Sequence, residues 1–155
     1  MVFLMMDQSD EFYMKEALRE AELAFEAGEV PVGAVLVYEG KIIARGHNQK
    51  EEKKDVSSHA EIEAIREGER VLNRWDLTGC TLYVTLEPCL MCAGAILQSR
   101  LSRLVFGADD PQRGAVVGCF NAFEYFKKDS DPLVSRGVLS SSCQDILLKF
   151  FRGVR

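Results

Sequence analysis

The sequence lacks several features that would mark other classes of protein. Its 155 residues include two histidines, one tryptophan and four prolines. No apolar run approaches the 18 or more residues of a membrane-spanning helix, and no internal repeat, linker or low-complexity segment is evident. These absences argue against a membrane-spanning or repetitive protein and favour one compact domain over residues 1–155, with no membrane partner.

The beginning of the chain does not resemble an export signal. Residues 1–6 are apolar, but they form a short run without a basic start, and Asp7 follows at once. The five cysteines are an odd number, and some are needed as thiolates in the site described below, which favours a reducing compartment. We therefore expect a cytoplasmic protein.

The net charge of -5 is unevenly distributed. Residues 1–30 hold eight acidic and two basic residues, whereas residues 98–155 hold six acidic and nine basic ones, including Arg152 and Arg155. Such a distribution permits a local basic face that could contact an RNA loop. Uneven charge by itself usually means only a solvated surface.

Two short sequence motifs indicate the chemistry of this protein. His-Ala-Glu stands at 59–61, and Pro-Cys-Leu-Met-Cys stands at 88–92. Their spacing is that of zinc-dependent nucleoside and base deaminases. Zinc binds neutral imidazole and thiolate sulfur readily, so the predicted ligands are His59, Cys89 and Cys92, with one Zn²⁺ per chain.

Three protein ligands leave a fourth tetrahedral position for water, whose pKa zinc lowers from 15.7 to about 7. A carboxylate that is not a ligand must then move the proton from that water to the base and its leaving amine. Glu61 is the candidate, because it lies two residues from His59. The predicted reaction is hydrolytic replacement of an exocyclic amine by oxygen.

Each motif also has a purely structural interpretation. Ser58 and Glu61 fit a capping box, in which Ser58 caps a helix and Glu61 folds back on its start. Pro88 after a strand is an ordinary helix-start signal. The pair Cys89 and Cys92 alone could be a redox pair or half of a structural zinc site. Both motifs are present, in this order and each at a predicted helix start, which favours the catalytic zinc site.

A closed structural zinc site is the main alternative at this position. Its fourth ligand could be His47, Cys80, Cys119 or Cys143. Such a site would not need Glu61. It would usually have a second pair of closely spaced ligands, which the sequence lacks. His47 is expected to be a surface or loop residue, and the three remaining cysteines are expected to be small buried residues.

Apolar spacing and turn residues predict an alternating order of elements. Helices are expected over 10–27, 58–72, 88–98, 121–127 and 142–152, strands over 32–38, 41–46, 81–86, 103–106 and 133–138, a hairpin turn at Glu39-Gly40, and a polar loop over 48–57. This order predicts an α/β fold with a mixed five-stranded sheet and helices on both faces. The two motifs that contain the metal ligands would begin adjacent helices, so both helix N-termini would meet at one metal ion.

The sequence as a whole resembles the tRNA-specific adenosine deaminases, the TadA family within the cytidine and deoxycytidylate deaminase superfamily. The matching stretches cover nearly the whole chain: 29–37, Asn48, 59–61, 81–89, 91–95, 105–108 and 150–152. The resemblance implies a cytidine-deaminase-like three-layer α/β/α sandwich that forms a homodimer. It also implies zinc-dependent conversion of adenosine to inosine at the wobble position of a tRNA anticodon loop.

The resemblance implies roles for further residues. Asn48 would hydrogen-bond the flipped base or its ribose, and the Ala60 backbone would contact the amine-bearing ring. The remaining matching positions are the apolar pocket walls Val32 and Leu86, Asp110 near the sugar or phosphate, and Phe151 and Arg152 on the last helix, which would hold the anticodon loop. Val32, Leu86 and Phe151 would equally suit a core, and Asp110 a turn.

Two departures from the family pattern lie in regions that would contact RNA. The family commonly has a lysine near Gln112 and a serine near Cys119, and its basic tail has no counterpart after Arg155. Two other functions therefore stay open. One is a deaminase of a free base or nucleotide (guanine, cytosine or deoxycytidylate), and the other is a non-catalytic zinc-containing RNA-binding subunit.

Overall fold

The computed structural model describes residues 2–126 and 131–153, and it describes side chains from Asp10 onward. The elements in chain order are α1 Val2–Glu26, β1 Gly33–Tyr38, β2 Lys41–His47, α2 Lys50–Lys53, α3 Ala60–Leu72, β3 Cys80–Leu86, α4 Leu90–Gln98, β4 Arg103–Ala108, α5 Ala122–Tyr125, β5 Leu133–Arg136 and α6 Ser140–Gly153.

The strands form one mixed sheet in the order β2-β1-β3-β4-β5. β1 pairs antiparallel with β2 and β3, whereas β3 with β4 and β4 with β5 are parallel. The β1–β2 hairpin turns at Glu39 and Gly40, whose φ angles of 50° and 76° suit a tight two-residue turn. The predicted antiparallel edge followed by parallel pairs is confirmed.

Both faces of the sheet are covered by helices. Alternate residues of β1 point to opposite faces: Ala34 and Leu36 join the core beneath α3 and α4, while Val35 and Val37 join the core beneath α1 and α6. Strands buried on both faces read as continuous apolar runs, which is the pattern of β1. The α/β fold with three layers is therefore confirmed.

A buried polar network fastens α1 to the sheet. The Asp10 carboxylate accepts two hydrogen bonds from the Arg103 guanidinium, at 2.8 and 2.7 Å, and one from the Tyr83 hydroxyl at 2.7 Å. Arg103 also donates to the Ser135 hydroxyl at 2.9 Å. Burial, with the hydrogen bond to Asp10, raises the pKa of Tyr83 well above its ordinary value. The network joins α1, β3, β4 and β5 through four side chains, one from each element.

Some predicted boundaries were wrong. The first helix begins at Val2 rather than near residue 10, and the polar segment 48–57 contains the short helix α2. The helix expected over 121–127 is confined to α5 in the described chain, and residue 127 lies outside the described residues. Among the residues described, no helix combines the length and the apolar character that crossing a membrane requires.

Candidate active site

The two motifs that contain the predicted metal ligands lie at the starts of α3 and α4. His59 is the N-cap residue of α3, and Cys89 is the N-cap residue of α4. Both have extended backbone angles, and their carbonyl oxygens accept the first helical hydrogen bonds, from Glu63 and Ala93. The predicted convergence of two helix N-termini is thus present, and the positive helix ends favour thiolate over thiol.

The side chains of His59, Cys89 and Cys92 place their donor atoms together, all within 4.8 Å of one another. His59 Nδ1 lies 3.6 Å from each of the two sulfur atoms. A tetrahedral zinc ion with bonds of about 2.1 Å to nitrogen and about 2.3 Å to sulfur separates these atoms by about 3.6 Å. One nitrogen and two sulfur donors at this spacing fit Zn²⁺ in both chemistry and geometry.

The two thiols differ in acidity. Hydrogen bonds with Cys92 and His59 lower the pKa of Cys89 to about 4, although burial opposes this. The hydrogen bond with Cys89, together with burial, raises the pKa of Cys92, and the bond to Cys89 raises the pKa of His59. The protein groups alone thus stabilise one negative charge among the three donors. A divalent cation would stabilise a second thiolate, because ligand sulfur binds metal in its deprotonated form.

Glu61 lies in the first turn of α3 and is 4% exposed. Burial, and then the neighbouring Cys89 thiolate, raise the pKa of Glu61 to about 7, and its carboxyl group also hydrogen-bonds the Cys92 thiol. The three metal-donor side chains His59, Cys89 and Cys92 are named the donor cluster below. Glu61 is a buried carboxyl group next to this cluster and is not a member of it, which suits a proton carrier.

The capping box proposed for Ser58 is not formed. The N-cap position belongs to His59, no side chain caps the helix start, and the buried Ser58 hydroxyl makes no hydrogen bond. Pro88 precedes the N-cap of α4 and is not in its first turn. Both segments depart from the ordinary helix start because each uses its N-cap side chain as a donor to the cluster.

Among the described side chains, those of residues 10–126 and 131–153, no fourth ligand completes a closed site. His47 instead lies 3.3 Å from Glu20, between β2 and α1. Cys80 and Cys143 are buried, as predicted for small core residues, whereas Cys119 is exposed, so that prediction was wrong for it.

Asn48 lies at the end of β2, in the loop that leads to α3. Its Nδ2 donates to the Val30 carbonyl at 3.2 Å, and its Oδ1 accepts from the Lys50 amide at 3.1 Å. One N–H group and one lone pair of the side-chain amide are left for a further partner. Below this loop, the buried Glu29 carboxylate accepts from the amides of Glu51 and Glu52 at 3.0 and 2.7 Å.

The apolar candidates lie at the ends of strands. Val32 precedes β1, is partly buried and packs against the core beneath α3 and α4. Ala60, the first residue of α3, is fully buried in that core. Leu86, at the end of β3, is partly buried and packs against the core beneath α1 and α6. The structure therefore brings Val32 and Ala60 to the layer of the donor cluster and places Leu86 against the opposite core.

Glu87 organises the segment that follows β4, residues 109–118, here named the 109–118 loop. Its Oε1 accepts from the Asp110 amide at 2.9 Å, and its Oε2 accepts from the amides of Val116, Val117 and Gly118 at 3.0, 2.7 and 2.8 Å. Although burial favours the protonated acid, these four donors hold the pKa of Glu87 below its ordinary value.

Asp110 stabilises a turn within the same loop. Its carboxylate accepts from the amides of Gln112 and Arg113, both at 3.1 Å, and its carbonyl accepts from the Gly114 amide at 2.8 Å. The turn that the sequence allowed as an alternative is therefore present. Its carboxylate is half-buried and retains free lone pairs.

Phe151 and Arg152 lie in the last turn of α6 and are exposed. The Phe151 ring is 53% exposed and stands edge-on to Phe150, with 5.5 Å between ring centres. Phe150 in turn contacts Phe25 of α1 at 6.0 Å. Phe151 is therefore not a core aromatic, and Arg155 lies outside the described residues.

Sequence reasoning assigned no role to Glu29 and Glu87, two of the most buried acidic residues, each 2% exposed. Both belong to the quoted family stretches, and each stands next to apolar or proline residues in a segment that is otherwise buried. An isolated acid in such a segment is the available signal, because a buried carboxylate needs hydrogen-bond donors. The sequence does not show where those donors come from.

Comparisons with known proteins identify the family of the chain. Residues 8–154 match the family model of MafB19-like deaminases. The chain is 49% identical over 146 residues to the tRNA-specific adenosine deaminase of Bacillus subtilis (strain 168), a match that covers 94% of this chain and 91% of the relative.

Solved structures point the same way. One, from a study of A-to-I editing by tRNA:A34 deaminases at the wobble position of transfer RNA, is 45% identical with a TM-score of 0.80 and covers 88% of this chain and 99% of the other. A guanine deaminase from Bacillus subtilis is 35% identical with a TM-score of 0.62, covering 81% of this chain and 82% of the other. The chain therefore belongs to the MafB19-like deaminase family and, within it, to the tRNA-specific adenosine deaminases.

Proposed function

We propose that this protein catalyses the hydrolytic deamination of adenosine to inosine at the wobble position of a tRNA anticodon. The observation that carries the proposal is the buried Glu61 beside the donor cluster of His59, Cys89 and Cys92. The substrate is inferred from the relatives named as tRNA-specific adenosine deaminases. In the reaction, water adds at C6 of adenine, a C–O bond forms, the C–N bond to the amine breaks, and ammonia leaves.

The cofactor proposed for the cluster is one Zn²⁺ per chain, held by His59, Cys89 and Cys92. When bound, zinc supplies a water acidified to a pKa of about 7 as the attacking group. The fit rests on one imidazole nitrogen and two sulfur atoms at the 3.6 Å spacing of a tetrahedral site.

Glu61 is proposed to move the protons. It would take a proton from the attacking water, give it to the ring nitrogen of adenine, and later deliver a proton to the departing amine. Its position in the first turn of α3, two residues after His59, keeps the carboxyl group next to the donor cluster. Burial removes competing water, so that the proton is exchanged with the substrate.

The base is proposed to be held by groups on the loop before α3. Asn48 has one N–H group and one lone pair left for the base or its ribose, and two hydrogen bonds fix its side chain. The Ala60 backbone, at the start of α3, would contact the amine-bearing ring. Val32 would form an apolar wall, whereas Leu86 packs against the core beneath α1 and α6 and is not proposed as a wall of this pocket.

The anticodon loop is proposed to contact Asp110, Phe151 and Arg152. RNA-binding proteins commonly stack unpaired bases on exposed aromatic rings and pair phosphates with guanidinium groups. Phe151 and Arg152 offer both chemistries on an exposed helix end. Because a loop base is already unpaired, placing it in the pocket costs less than a few kcal/mol.

A second candidate function is deamination of a free base, guanine in particular. The observation that favours it is the 35% identity to a guanine deaminase of Bacillus subtilis. The same donor cluster and proton carrier would serve that reaction, but the substrate would be a small molecule and RNA would not bind. A non-catalytic RNA-binding subunit would have no need of the buried Glu61.

The deciding experiment uses zinc-loaded protein and a tRNA with adenosine at the wobble position, followed by sequencing of that position for inosine. Free adenine, cytosine, guanine and their nucleosides are assayed in parallel for ammonia release. Inosine in the tRNA, without release from free bases, is the expected result. Ammonia from guanine with no inosine in the tRNA would overturn the proposal in favour of the second candidate.

The protein is proposed to act as a cytoplasmic homodimer. A groove of about 860 Å³ lies between α3 and α4, beside the end of α5, and is lined by Ile62, Trp75, Leu97 and Phe126, among others. Trp75 and Phe126 are 59% and 52% exposed, so two large apolar side chains face outward from this groove. A second copy of the chain is the proposed occupant, and the thiolate donors suit a reducing compartment.

A further inference from the structure

Glu87 has no part in the chemistry described above, yet it is among the most buried charged residues of the protein. Four backbone amides, from Asp110, Val116, Val117 and Gly118, point at its two carboxylate oxygens. Buried carboxylates with this many donors are strongly fixed, because charged hydrogen bonds are shorter and stronger than neutral ones. All four donors belong to the 109–118 loop, and Glu87 is not a member of the donor cluster.

The 109–118 loop closes tightly around this carboxylate. A Cβ atom on Gly114 would lie 2.3 Å from the Glu87 carboxyl carbon, and one on Gly118 would lie 2.1 Å from the Asp110 carbonyl oxygen. Neither position can carry a side chain without moving the loop. The chain path there is therefore matched to a carboxylate at its centre.

The same loop is attached to the turn that carries the metal ligands. The Ala115 amide donates to the Pro88 carbonyl at 2.9 Å, one residue before Cys89. The Glu87 amide donates to the Ala108 carbonyl at 2.8 Å, where the loop begins. Glu87 thus holds the loop beside the donor cluster, while Gln112 and Arg113 stay exposed on its outer side.

We propose that Glu87 is a positioning residue that fixes the 109–118 loop as a rim of the active site, where the loop contacts the RNA nucleotides next to the reacting adenosine. This inference rests on the proposed function. The exposed Arg113 guanidinium suits a phosphate, and the half-buried Asp110 carboxylate suits a ribose hydroxyl. Loss of the rim would weaken RNA binding and leave the chemistry of the donor cluster in place.

The test compares Glu87→Gln with Glu87→Asp, using an anticodon stem-loop RNA with a wobble adenosine. Gln keeps one acceptor oxygen and turns an NH₂ group toward backbone donors, whereas Asp keeps both oxygens on a shorter side chain. We expect Gln to raise KM at least about tenfold, while kcat stays within about threefold and zinc content is unchanged. Asp should recover part of the KM.

Amide hydrogen exchange in the 109–118 loop is measured on the same variants and should be faster in Glu87→Gln. Gly118→Ala displaces the loop without changing Glu87 and should also raise KM. Glu67→Gln, on the exposed side of α3, is the control and should change neither quantity.

Faster loop exchange with an unchanged KM would overturn the proposed RNA contact. Unchanged exchange, or loss of zinc together with a fall in kcat, would overturn the positioning role. If the unsubstituted protein forms no inosine, the proposed function fails instead, and the exchange data still decide whether Glu87 holds the loop.

Discussion

Carboxyl groups are seldom buried without a cation or several hydrogen-bond donors, and Glu61 has neither within its own segment. Its neighbours are the thiols and imidazole of the donor cluster, and burial raises its pKa to about 7. Such an environment costs folding stability, and acids with strongly shifted pKa values occur mainly at functional sites, where the shift serves catalysis. The position of Glu61 is thus better explained by catalysis than by folding.

Replacing Glu61 with alanine should reduce the rate of inosine formation by about 10²- to 10⁴-fold, since this is the usual contribution of a positioned proton carrier. Zinc content and the unfolding midpoint should be maintained or increased, because a buried acid is removed. Rates under single-turnover conditions and metal content by mass spectrometry give the two values. Substantial residual activity would contradict the role, and Glu67→Ala serves as the exposed control.

Removal of one metal ligand tests the donor cluster itself. Cys92→Ala should lower the zinc content well below one per chain and abolish deamination, as should treatment of the unsubstituted protein with a chelator, with recovery on adding Zn²⁺. Cys119→Ala is the matched control, because Cys119 is exposed and outside the cluster. Full activity of metal-free protein would exclude the proposed cofactor.

At the level of residues, the donor cluster could be predicted because its members lie in two short sequence motifs. His59, Cys89 and Cys92 were recognised by type and spacing, and the structure brings their donor atoms together. Glu29 and Glu87 could not be assigned in this way. Their partners are backbone amides from segments 22 to 31 residues away, and any residue type supplies such an amide.

At the level of elements, the sheet was predictable and the short helix α2 was not. Continuous apolar runs with a turn between them identify β1 and β2, because burial on both faces requires them. The residues of α2 are charged, none is buried, and its first amides are capped by Glu29 from a distant segment. Its helical state depends on a tertiary contact, so local pattern indicates a loop.

The attachment of α1 through Asp10 makes a stability prediction. Asp10→Ala leaves Arg103, largely buried, without its partner and should lower the free energy of unfolding by about 3 kcal/mol. Tyr83→Phe removes one hydrogen bond from the same network and should cost about 1 kcal/mol. Urea unfolding at neutral pH measures both, and equal losses for the two variants would show that the Asp10–Arg103 pair contributes little.

At the level of the whole molecule, the proposed dimer rests on the exposed groove between α3 and α4, beside the end of α5. Trp75→Lys would place an ammonium group in the interface and should raise the dimer Kd at least about tenfold, because an unpaired buried charge costs more than about 1.4 kcal/mol. Leu133→Lys, at a 74% exposed position on β5, is the control. Sedimentation at several concentrations gives the Kd, and an unchanged value for Trp75→Lys would place the interface elsewhere.

The donor cluster joins two segments that are far apart along the chain, since His59 and Cys89 are separated by 30 residues. An ion bound there would act as a cross-link between α3 and α4, and the enclosed segment includes β3 at the centre of the sheet. Because the unfolded chain does not hold the ion in this way, each tenfold increase in free zinc would add about 1.4 kcal/mol to the apparent stability once the site is saturated. The supply of zinc would then govern how long the molecule survives as well as how fast it works.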